Sequence, residues 1–210
     1  MFHNKDIVTE AKKYVNTILI SLEDMYYHQY SHTLDVLERA VYLGYKENLS
    51  KEDIELLELA ALFHDTGFIV QYEHNEPIWA KFASNFLKTY LYPNDKIATI
   101  ERIILATDPN YLEPKDIFEK IIKDADVDNL GRDDFFEQGS RVKSEVEVLR
   151  NIKIKDPEWH HAMLDVLYKN KFYTKTQIEE RQQKKEANIA LLESKIERDI
   201  MKGEIKEIGN

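Results

Sequence analysis

From residue 6 onward, apolar side chains return every three or four positions and no stretch alternates like a strand for long, so this chain buries its hydrophobic residues as helices. Six glycines and five prolines in 210 residues leave few turns. Residues 6–20 place Ile7, Ala11, Tyr14, Val15 and Ile18 on one stripe, and residues 27–46 do the same with Leu34, Leu37, Val41 and Tyr45, Gly44 weakening the last turn. Ser50, three residues before Asp53, reads as an N-cap. The helix it opens becomes apolar all round at "LELAALF", the pattern of a buried helix. Further helices are expected after Asn75, Pro93 and Pro114, over about 133–152 and 157–169, and from Thr174 onward. The last is long and charged, with a narrow stripe of Ile189, Leu192, Ile196 and Ile200 that would dock on its own domain or on a second copy in a homodimer. The expected fold class is an all-α bundle with a C-terminal charged helix.

A net charge of −10 repels phosphate backbones, so a duplex nucleic-acid partner is not expected, and an anionic small substrate needs a metal or local basic groups to reverse the field. With no cysteine, disulfides, thiolate ligands and thiol nucleophiles are all absent. No stretch approaches the ~20 apolar residues of a membrane span, and "MFHNKDIVTEAKKYVN" lacks the apolar core of a signal peptide. The expected location is cytoplasmic, with no membrane partner.

The segment "AALFHDTGF" sets His64 against Asp65 where the buried helix runs out. Adjacent helical side chains point about 100° apart, so one atom held by both must sit beyond the helix end. A metal ion meets that geometry, because imidazole and carboxylate suit the same borderline cations. Alone, the pair equally well reads as a chance dipeptide or a capping aspartate. Partners exist, however: "YYHQYSHTLDV" puts His28 and His32 four apart on one helix face. "IIKDADVDNLG" puts Asp124, Asp126 and Asp128 at the end of another apolar run, where a lone acid is costly to bury. Mixed N and O ligands drawn from separate helices are what a metal in a bundle core uses.

The ordered set "SHTLDV", "LFHDTGF" and "KDADVDNLG" resembles the three signature elements of the HD-domain superfamily of metal-dependent phosphohydrolases. The resemblance covers roughly residues 25–135, within an HD-type domain at 1–170 followed by a helical extension at 171–210. It implies an all-α bundle and one divalent metal (Mn, Fe, Co, Ni or Zn) held by His32, His64, Asp65 and Asp126. "YYHQYSHTLDV" is also similar to an element of the cyclic nucleotide phosphodiesterases, which implies His28 as general acid, with Gln29 departing from the asparagine of that pattern. "YEHNEPIWA" supplies His74 and Glu76, but Thr107 stands where a further histidine is expected, so one metal is expected rather than two.

The resemblance implies hydrolysis of a phosphoester, of a nucleotide by our reading, with Asp65 accepting a proton from the attacking water. His74, Lys123 and Arg132 are candidates to meet the substrate phosphate; Lys115 and Arg141 carry the same charge, and a solvated helix face explains any of these basic residues equally well. Asp124 and Asp128 are expected to be solvated or capping. The alternative is a catalytically weak or inactive module of the same fold that senses a ligand or binds a partner.

Overall fold

A computed structural model describes residues 6–21, 25–66 and 75–208, with side chains described as far as residue 201. The described residues form α1 (Ile7–Leu19), α2 (Tyr30–Lys46), α3 (Lys51–Phe63), α4 (Glu76–Thr89), α5 (Asn94–Leu105) and α6 (Ile117–Asp126). A 3-10 turn (Asp128–Gly131) leads on to α7 (Phe135–Leu149), α8 (Asp156–Lys169) and α9 (Lys175–Ile208). No strand occurs among them, and none of these helices is long and apolar enough to cross a membrane.

The all-round apolar helix α3 is the axis, in contact with α1, α2, α4, α5 and α6. Its residues Leu59 to Phe63 are fully buried, and they join Leu87, Ile100, Ile103, Ile104, Ile121 and Ile122 in the main core. Each of the leucine, isoleucine and phenylalanine side chains contributes roughly 1.5–3 kcal/mol on burial. The start of α3 is set locally: the Ser50 hydroxyl accepts the Asp53 N–H at 3.1 Å. Just upstream, Asn48 takes the left-handed conformation (φ 62°) that ends α2.

Two expected stripes are out of phase with the structure. The buried face of α1 is Val8, Ala11, Val15 and Leu19, while Tyr14 lies at its edge against Phe63 and Phe86. On α2 the buried face is His32, Thr33, Val36, Leu37, Ala40, Leu43 and Gly44, and Tyr45 is exposed. Following the large apolar residues alone misplaces that face, because it carries a ligand-type histidine and small residues. Gly44 is there for closeness: a Cβ would sit 3.2 Å from Ile54 and 3.3 Å from Leu57.

A second apolar cluster joins Leu130, Phe135, Met163, Leu167, Phe172, Leu192 and Ile196. It seats α9 on α8 and on the 3-10 turn of the same chain. Leu192 and Ile196 of the expected stripe are buried in it, whereas Ile200 is exposed.

Candidate metal centre

Four side chains from three helix ends converge between α2, α3 and α6. His32 sits in the first turn of α2, His64 and Asp65 follow the last residue of α3, and Asp126 closes α6. Asp65 Oδ2 lies 3.2 Å from His64 Nε2 and 3.4 Å from His32 Nε2, and Asp126 Oδ1 lies 3.4 and 3.5 Å from the same two nitrogens. The donors of His32, His64 and Asp126 all fall within 4.8 Å of one another. Nitrogen and oxygen donors at ~2.1 Å from a tetrahedral ion stand ~3.4 Å apart, so the four imidazole–carboxylate edges match one cation, with His32, His64 and Asp126 the mutually close set.

The ring of His64 is set by its own helix: Nδ1 is 2.7 Å from the Ala61 carbonyl, to which it donates, so Nε2 turns its lone pair to the centre. His64 Nε2 and Asp65 Oδ2 are buried and have no hydrogen-bond partner, a state that few side-chain atoms among the described residues share. Burial pushes His64 down, but Asp65 and Asp126 beside it raise it well above its ordinary value. Burial pushes Asp126 up, and the two imidazoles hold it well below the carboxylate range. The centre as built favours a positive charge between its carboxylates. A divalent metal fits the donor set and both orphaned atoms.

His28 stands one step away, its ring 5.8 Å from that of His32. Glu145 of α7, fully buried, accepts the backbone N–H groups of Tyr26, Tyr27 and His28 at 2.9–3.0 Å and also engages His28 Nδ1. Any proton His28 passes on therefore leaves from Nε2. Burial lowers the His28 pKa, yet the Glu145 hydrogen bond and the Asp65 charge raise it above the ordinary value overall. Sequence reasoning missed Glu145. It is one acid on a strongly charged helix, and nothing local separates it from its neighbours.

A small cleft of about 80 Å³ opens beside the centre, its walls including Tyr27, Ser31, Asp35, Asn129, Arg132 and Gln138. Arg132 is in it. Lys123 is not among its walls: its ammonium donates to the carbonyls of Ala106 and Asp108 at 3.0 and 3.2 Å, closing the end of α5. Thr107 spends its hydroxyl on the Ile104 carbonyl. His74 lies outside the described residues.

Asp124 and Asp128 are buried rather than solvated. Asp124 accepts the Tyr173 and Thr174 N–H groups at 2.8 and 2.7 Å, ahead of α9. Asp128 takes Arg39 at 2.9 Å, Arg181 at 2.7 Å and Gln177 at 3.1 Å. Both tie α9 to the end of α6.

Residues 30–129 match the family described as "HD domain", so the part of the chain that carries the three motifs is an HD domain, the domain that marks a superfamily of metal-dependent phosphohydrolases. Its fold is shared by solved structures of low identity. The Lin1889 protein of Listeria innocua is 21% identical, with a TM-score of 0.62 over 92% of this chain and 97% of that one. Bacillus subtilis YpgQ, in a structure described as a complex with ADP, is 20% identical, with a TM-score of 0.64 over 92% and 94%. No curated protein matches the sequence.

Proposed function

We propose that this chain hydrolyses a phosphoester of a small nucleotide, using His32, His64, Asp65 and Asp126 to hold one divalent metal. The observation that carries the reading is the pair of orphaned buried atoms, His64 Nε2 and Asp65 Oδ2, facing two further donors at cation spacing. When bound, the ion supplies charge for the phosphoryl oxygens and brings the pKa of water from 15.7 toward ~7.

The protein's own groups do the rest. Asp65 accepts the proton of the attacking water. His28, held protonated by Glu145, delivers the proton of the departing oxygen from Nε2, a step typically worth ~10²–10⁴ in rate. Arg132, its guanidinium fixed on Asp134 at 2.9 and 2.6 Å, orients the ester at the mouth of the cleft. The ADP of the YpgQ structure supports a nucleotide as the ester. A substrate of this size, met in the cytoplasm, suits the cleft better than a duplex or a membrane surface.

The test is release of phosphate or of an aryl alcohol from generic phosphoesters by Mn²⁺- or Co²⁺-loaded protein. Asp65→Ala should bring the rate to background while the helical signal is kept. A loaded parent protein that binds metal yet releases nothing would make this an HD-fold ligand-sensing module instead.

A further inference from the structure

The cleft beside the metal centre is poor in usable positive charge. Among the described residues that line it, two are cationic, Arg132 and Arg141. Arg132 has two of its nitrogens on Asp134, and its third stands 3.5 Å from Asp35 and 3.8 Å from Asp128. Arg141 is paired at 2.7 Å with Glu137 on the exposed face of α7. Each phosphate beyond the one on the metal needs charged donors of its own when it leaves water, and here Arg132 serves the reacting ester while Arg141 is held by Glu137.

What the cleft offers instead is neutral or acceptor-only. Ser31, Asn129 and Gln138 present a hydroxyl and two amides, with Gln138 oriented by its 2.9 Å bond to Asp134. Asp35 is more than half exposed and accepts hydrogen bonds without donating any. A carboxylate in that position suits sugar hydroxyls, as acidic residues do on the ribose of dinucleotides, and repels a second phosphate.

We infer that this site selects a nucleotide with one phosphorus, its negative charge confined to the reacting group and its remainder neutral and hydroxyl-bearing, with Asp35 as the residue that excludes di- and triphosphates. The inference rests on the hydrolase reading above and narrows its substrate. ADP in the YpgQ structure makes the diphosphate the nearest rival.

The experiment uses the full chain with Mn²⁺ in excess over nucleotide, and compares the mono-, di- and triphosphate and the 3′,5′-cyclic monophosphate of one nucleoside. The expected result is a kcat/KM for the better single-phosphorus substrate at least ~10-fold above the triphosphate, a gap that narrows in Asp35→Asn. A preference for the di- or triphosphate overturns the inference and leaves the hydrolase reading standing, as does an unchanged gap in a folded Asp35→Asn. If nothing is hydrolysed, the hydrolase reading falls, and calorimetric affinities for the same four ligands decide this one. Tighter binding of a single-phosphorus ligand upholds it; tighter binding of the triphosphate, or binding of none, overturns it.

Discussion

Two carboxylate clusters share the end of α6 and differ chiefly in one respect. Around Asp126, donor atoms face one another across 3.2–3.5 Å, and two of the buried atoms there have no partner. Around Asp124 and Asp128, two backbone amides, a glutamine amide and two guanidinium groups meet the oxygens at 2.7–3.1 Å. Asp126 itself is partly exposed, but the larger difference between the two places is satisfaction. A buried polar group left without a partner costs roughly 1–3 kcal/mol, and a fold keeps that cost where a ligand later repays it. The first cluster keeps the unmet donors that a metal would take, and the second holds the molecule together.

Exchanging the two losses gives the largest effect. Asp126→Ala should abolish metal-dependent turnover while costing the metal-free protein less stability than Asp128→Ala does, since Asp65 remains on both imidazoles. Asp128→Ala should take the carboxylate away from Arg39, Arg181 and Gln177 at once. Breaking a buried ion pair costs ~3–5 kcal/mol; Arg39 keeps Glu180 and Gln177 as partners, which favours the lower end, roughly 6–12 °C in Tm. Thermal melts of the metal-free variants check both, and a severe loss of stability in Asp126→Ala would erase the distinction.

The next effect probes Glu145. Glu145→Gln keeps an acceptor for the three amides but removes the charge that raises His28. His28 serves as an acid only while protonated, so the alkaline limb of the kcat profile should move to lower pH. Activity at neutral pH should fall ~10–100-fold, as for other residues that orient a reacting group. The same pair gives stability a pH dependence. The His28 pKa is above its unfolded value of ~6.5, so the contribution is complete below that pH and is lost as pH rises through the folded value. Parent and Glu145→Gln melting temperatures should therefore converge on the alkaline side.

The smallest effects test how tightly α9 is seated. At Gly131 a Cβ would lie 2.6 Å from both the Cβ and the carbonyl oxygen of Arg181, so Gly131→Ala must push helix backbone and should cost ~1–3 kcal/mol. At Gly139 the clash is with the end of Met163, a flexible thioether that can swing aside. Gly139→Ala should lower Tm by less, and equal losses would mean that the α9 contact yields as easily as a side chain.

Much of this was legible beforehand. Periodicity identified the helices, Ser50 marked the start of α3, and "LELAALF" announced a helix buried on all sides because no polar face remained for solvent. The HD pair at the end of that helix was conspicuous for the same reason. Stripe phase was harder to read: on α2 the inward face carries His32, Thr33 and Gly44, which hydrophobicity ranks low but function and close packing require.

By itself, the sequence determined that this is a helical chain without thiol chemistry, and that histidine and aspartate interrupt apolar runs in three places. Both are local properties, set by side-chain period and residue type. Only the tertiary structure assigned tasks to like residues. Two positions along a helix turn a side chain by about 200°, so Asp124 and Asp126 must face opposite ways, yet which of them meets the histidines depends on what packs on each side. Glu145 acquires its role from a loop 117 to 119 residues earlier in the chain, and α9 closes on α6 through partners 49 to 53 residues apart. Contacts of that range leave no local pattern, because their energy comes from the meeting of surfaces rather than from either surface alone.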